Sequence, residues 1–119
     1  MLNKKYRFHS RGGVRYVYKN GKTVRRVKAS LVFADNTRGL TRVAVVVSKK
    51  VLKTAVGRNR IRRRVYEVVR KNFELIPKGR DYIFVIFSKD VGRMPNSELE
   101  KVLGELVMES KVCYTESNE

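Results

Sequence analysis

The chain has 119 residues, the length of one domain, and a hydrophobic fraction of 42% that is enough for a modest core. Its 28 lysines and arginines against 11 aspartates and glutamates give a formal net charge of +17, which calls for a polyanionic partner. There is no apolar run of about 18 residues to span a membrane and no apolar signal-peptide core in MLNKKYRFHS. One cysteine (Cys113) and one histidine (His9) build neither a disulfide framework nor an ordinary zinc site, and they fit a reducing cytoplasm.

The charge is lopsided. Residues 1–80 hold 24 Lys/Arg and three acids (Asp35, Glu67, Glu74), whereas residues 81–119 hold four Lys/Arg and eight acids. Nucleic acid is the first candidate partner and an anionic membrane surface the second. The arginines lie in segments with folding periodicity and not in a low-complexity tail, which favours nucleic acid.

With no repeat or linker in view, residues 1–119 read as a single domain. SRGGVRYVYKN (10–20) predicts a short helix that Ser10 can cap and Gly21 can stop, with Val14, Val17 and Tyr18 on one face. A weak strand is possible over Lys22–Arg26. KASLVFAD (28–35) alternates as a half-buried strand with Ala29, Leu31 and Phe33 inward. After the turn NTRG (36–39), TRVAVVVS (41–48) gives a second strand with Val43, Val45 and Val47 inward, and the two are expected to pair as an antiparallel hairpin. The basic connector KKVLKTAVG (49–57) leads to a helix expected over Arg58–Phe73. Its stripe is Ile61, Val65, Val68, Val69 and Phe73; Arg60, Arg63, Arg64, Arg70 and Lys71 take the opposite arc, with Arg62 on the flank.

Pro77 and Gly79 close that region. DYIFVIFS (81–88) is apolar on both faces and so belongs in the middle of a sheet. PNSELE (95–100) opens a last helix with Ser97 and Glu100 as a capping box and Leu99, Val102, Leu103, Leu106 and Val107 as the buried stripe. Residues 113–119 are expected to fray. The order α-β-β-α-β-α around a central sheet is an α+β sandwich.

RNRIRRR (58–64) places five arginines in seven residues at the head of a helix, where they repel one another and oppose the macrodipole. Only Glu67 offers local relief. Such a segment finds its counter-charge elsewhere, and the planar guanidinium fork suits phosphate oxygens. The bland reading, a solvated charged face, is weakened by the scarcity of acids. Tyr16 and Tyr18 among Arg15, Lys19 and Lys22 can stack bases of a single strand, although core packing explains Tyr18 equally well. His9 and Cys113 have no catalytic companions, no carboxylate pair suggests two-metal chemistry, and Gly12-Gly13 lacks a phosphate-loop frame. No catalytic or metal residue is assigned.

VSKKVLKTAVGRNRIRRRVYEVVR (47–70) resembles the protein subunit of bacterial ribonuclease P, a family marked by an Arg-Asn-Arg core. Here the core is Arg58-Asn59-Arg60, preceded by Ser48-Lys49-Lys50 and Ala55-Val56 at the family's spacing. YRFHSRGGVRYVYKNGK, Thr41–Ser48 and DYIFVI (81–86) match in order along almost the whole chain. There are departures: Gly57 replaces a basic or polar residue, Leu52 a common glycine, Arg62 a lysine and Tyr66 a frequent arginine. Val14 and Tyr18 stand where an aromatic pair is often found.

The resemblance implies an α-β sandwich with a left-handed β-α-β crossover. It also implies a non-catalytic subunit of an endoribonuclease, whose RNA uses Mg²⁺ to remove the 5′ leader of precursor tRNA. Lys49, Lys50, Lys53, Arg58, Asn59, Arg60, Arg62 and Arg63 would then meet the catalytic RNA. Val14, Tyr18, Ser30, Val32 and Val46 would line a cleft for the leader. The partners implied are ribonuclease P RNA and precursor tRNA, with no small-molecule ligand or membrane. The alternatives are a structural ribosomal protein, which would follow a ribosomal subunit, and a DNA-binding regulator, disfavoured because strand and loop precede the arginine helix.

Overall fold

The computed structural model describes residues 6, 7, 11–36 and 41–117, with side chains placed at 6, 7, 14–36 and 41–111. The elements are α1 (Arg11–Asn20), β1 (Lys22–Arg25), β2 (Ala29–Asp35), β3 (Arg42–Val47), α2 (Ala55–Lys71), β4 (Arg80–Ile86) and α3 (Asn96–Ser117). Short 3₁₀ turns follow α2 at Phe73–Leu75 and β4 at Lys89–Gly92. The weak strand is therefore real and becomes an edge. Ser10 and the turn residues 37–39 lie outside the described residues.

The sheet order is β1-β2-β4-β3. β4 pairs antiparallel with β2 and parallel with β3, so the expected β2–β3 hairpin does not form. The reason is burial. Every second residue of β4 faces each side of the sheet, and Tyr82, Ile83, Phe84 and Ile86 are all 1% exposed or less. Only a central position keeps both faces of that strand from water. Its entry is set by Gly79, whose φ of 76° lies in the left-handed region. Gly79 N–H donates to Thr41 Oγ1 at 3.1 Å and its carbonyl accepts from Asn36 N–H at 2.9 Å, tying β4 to its neighbours.

The two sides of the sheet carry different layers. On one, Leu31, Phe33, Val43, Val45, Tyr82 and Phe84 meet the stripes of α2 (Ile61, Val65, Val68, Val69) and α3 (Leu99, Leu103, Leu106). On the other, Val32, Ala34, Ala44 and Ile83 meet Val17 of α1. β2 is therefore covered on both faces and not half-buried. Gly21 permits the close passage of α1 over β2, since a Cβ there would lie 2.5 Å from the Phe33 carbonyl oxygen.

Three boundaries differ from expectation. α2 starts at Ala55, because Thr54 caps it by accepting from Gly57 N–H at 3.2 Å. Phe73 falls in the 3₁₀ turn past the helix end. α3 starts at Asn96, leaving Ser97 inside the helix instead of capping it, and runs to Ser117 across most of the segment expected to fray.

Candidate RNA-binding surfaces

The first surface is the connector between β3 and α2 with the head of that helix. The Ser48 carbonyl accepts from the N–H groups of Val51 and Leu52 (3.1 and 3.3 Å), which turns the chain and leaves Lys49, Lys50 and Lys53 exposed. Leu52 folds back over the first helical turn. A Cβ on Gly57 would stand 2.3 Å from Leu52 Cδ2 and 2.8 Å from Thr54 Oγ1, so Gly57 makes room for Leu52. The two departures from the family pattern on this loop are thus one packing solution.

The arginines divide into two groups. Arg58 Nη1 donates to the carbonyls of Leu52 (3.0 Å) and Lys53 (2.8 Å), so this half-buried side chain builds the connector as well as carrying charge. Asn59 Oδ1 accepts from Arg62 Nη2 and steadies that guanidinium. Arg60 and Arg63 are exposed, with no carboxylate partner among the described residues. Arg64 corrects the expectation for the cationic arc. Its guanidinium donates to the carbonyls of Val91 (2.9 Å) and Met94 and to Asn96 Oδ1 (3.0 Å), fastening α2 to the segment that starts α3.

Further along, Arg70 Nε donates to Glu67 at 3.0 Å, and that hydrogen bond is the first cause holding the Glu67 carboxyl at about 2. Tyr66 is buried against the sheet, with the Arg7 guanidinium 5.9 Å from its ring centroid, so it serves the core. Among the described residues, Lys49, Lys50, Lys53, Arg60 and Arg63 thus form one cluster of exposed cations without carboxylate partners, beside a first helical turn that contains no acid. A positive helix N-terminus and unpaired guanidinium groups add in the same direction for a phosphate.

The second surface is the α1 side of the sheet. The register aligns Arg25, Ser30, Val85 and Val46 in one row across all four strands. Alternation puts this row on the side opposite Val24, Leu31 and Phe84. Val14, Val46 and Val85 are partly buried around the Val17 cluster, and Tyr18 remains 47% exposed. Ser30 and Val32 lie buried beneath this surface, 3% and 4% exposed. Partial burial also pushes the Tyr18 phenol above its ordinary 10.0, so it stays a neutral hydrogen-bonding group. Val85 and Arg25 join this row without having been singled out in the sequence, because only the strand order brings them there.

Among the described residues no three of His, Cys, Asp or Glu come together as a metal site would need, and no helix is long and apolar enough to cross a membrane. Fold and surface define the class: a small α+β sandwich that presents a cluster of exposed cations on one connector and one helix. Within that class, the family model described as Ribonuclease P matches residues 2–111, and the chain belongs to that family.

Curated relatives agree. The "Ribonuclease P protein component" of Finegoldia magna is 36% identical over 102 residues, covering 86% of this chain and 88% of its own. That of a Pseudanabaena species is 31% identical over 116 residues, covering 96% and 98%. The ribonuclease P protein of Thermotoga maritima superposes with a TM-score of 0.76 at 27% identity, over 85% of this chain and 94% of its own. The Staphylococcus aureus protein shares the fold at a TM-score of 0.78 and 24% identity, over 92% and 98%.

Proposed function

We propose that this protein is the RNA-binding subunit of a ribonuclease P, acting with its RNA to remove 5′ leaders from precursor tRNA. The observation that carries the reading is the cluster Lys49, Lys50, Lys53, Arg60 and Arg63: five exposed cations without carboxylate partners among the described residues, in a chain of this family.

In this reading these side chains and Arg62 meet phosphates of the catalytic RNA, while Arg58 and Asn59 hold the connector and Arg62 in shape. The leader crosses the α1 side of the sheet over Val46, beside Val14 and Tyr18, with Ser30 and Val32 beneath. Base stacking and apolar contact there tolerate sequence variation, which suits an enzyme that processes many precursors. The protein contributes positioning and charge neutralisation. Mg²⁺ is held by the RNA, which carries out the hydrolysis. The site of action is the cytoplasm.

The test is reconstitution with a bacterial ribonuclease P RNA and a precursor tRNA at low Mg²⁺, where the RNA alone is weak. The expected result is stimulated cleavage at the mature 5′ end that depends on the RNA. Tight RNA binding without stimulation would overturn the reading in favour of a structural ribosomal protein, and comigration with a ribosomal subunit in a gradient would establish that alternative.

A further inference from the structure

We propose that Arg25 and Phe87 form a stacking platform for an unpaired nucleotide of the leader, at the edge of the sheet farthest from the arginine helix. The inference deepens the functional reading above and rests on it.

The Arg25 guanidinium lies over the Phe87 ring, 4.7 Å from its centroid. Both groups sit on the α1 side. Arg25 alternates with buried Val24, and Phe87 continues the alternation of Ile83 and Val85 past the end of β4, where its N–H donates to the Lys28 carbonyl at 2.9 Å. Phe87 is 38% exposed, so part of its ring is open to solvent beside the guanidinium. Arg25 has no carboxylate partner among the described residues, whereas neighbouring Arg26 is bound by Glu105 and Glu109 of α3 on the other side of the sheet.

The charge balance on this side fits a polyanion. Its one described carboxylate within the strands is Asp81, whose side chain is 4% exposed and engaged by Arg42 at 2.8 Å. The platform also continues the cleft. Arg25 ends the row Val46–Val85–Ser30–Arg25, which crosses three strand spacings, about 14 Å. Because β3 and β4 are parallel, the connector leaving Val47 and the Phe87 ring following Ile86 stand at the same end of the sheet. A single strand that enters beside Val46 and crosses this row meets the cation–aromatic pair last. An arginine stacked on an aromatic ring offers its outer face to a base and its N–H groups to a phosphate.

The experiment uses the reconstituted holoenzyme and a series of precursors with leaders of increasing length, each carrying 2-aminopurine at one leader position. Wild type should gain affinity once the leader is long enough to reach the platform, with fluorescence quenched at one distal position. Phe87→Leu keeps the apolar bulk without the aromatic face, and Arg25→Gln keeps the reach without the charge. Each should lose the distal quenching and weaken long-leader binding, within the roughly 5- to 150-fold range of one stacked base. Short-leader binding should not change, and Phe87→Tyr should behave as wild type.

Equal losses on short and long leaders, or no loss, would overturn the platform while leaving the subunit reading intact. Failure of wild type to stimulate cleavage of any precursor would overturn the subunit reading and the platform with it.

Discussion

Exchanging Arg64 for alanine strips a guanidinium from three acceptors, the carbonyls of Val91 and Met94 and Asn96 Oδ1. Leaving part-buried acceptors unsatisfied costs about 1–3 kcal/mol, so Arg64→Ala should lower the urea midpoint by a corresponding amount. The double reversal Arg60→Glu/Arg63→Glu should do the opposite: leave the unfolding transition close to wild type and sharply weaken binding to the catalytic RNA. Circular dichroism with a filter-binding titration separates the two classes, and a lost fold in the double variant would mean that those side chains are not outward. The sequence showed where positive charge accumulates but not how it is divided. Arg58, Arg63 and Arg64 are chemically identical, and what distinguishes them is whether a carbonyl of Leu52, Lys53, Val91 or Met94 folds back within reach. That depends on loops whose shape no local pattern encodes.

At the level of elements, the β3–α2 junction is held by the fit of Leu52 over Gly57. Gly57→Ala should destabilise by about 1–3 kcal/mol through overpacking, partly offset by up to about 1 kcal/mol of helix propensity. Made on a Leu52→Ala background, the same change should cost less by more than about 0.5 kcal/mol, a coupling that a double-mutant cycle reads directly. On the outer face of α2, Glu67 is held at about 2 against an ordinary 4.5 by its hydrogen bond from Arg70. A depressed carboxyl stabilises the fold above the unfolded-state value and loses that contribution as pH falls through the folded one. The melting-temperature gap between wild type and Glu67→Gln should therefore be steady above about pH 5 and close toward pH 2. Periodicity made the helices and strands legible here, down to the stripes of α2 and α3 and the central place of DYIFVI. Adjacency was not legible: β2 and β3 looked like a hairpin because they are neighbours in the chain. The competing pairing with β4 buries more apolar surface, and it comes from residues more than 30 positions on. The start of α2 was missed for a related reason, since Gly57 reads as connector until Leu52 is seen packed against it.

For the whole molecule, the measurable signature is electrostatic. If six to ten phosphates are contacted, affinity for the RNA should fall by roughly 10³–10⁵ between 50 and 200 mM salt. Arg60→Glu/Arg63→Glu should flatten that slope, whereas Arg64→Ala should leave it nearly unchanged. A wild-type slope close to zero would contradict a phosphate-reading surface. The strand order also bears on biosynthesis. β4 is the last strand to be synthesised, yet it alone joins the β1–β2 pair to β3. Until residues 80–86 emerge, the apolar stripe of α2 has no complete floor, and sheet closure must wait for a long-range parallel pairing of the kind that folds slowly. All but four of the 28 lysines and arginines have been translated by residue 80. Translation thus delivers a nearly complete polycation before the strand that organises it, and the chain spends its unfolded interval beside the RNA of the ribosome.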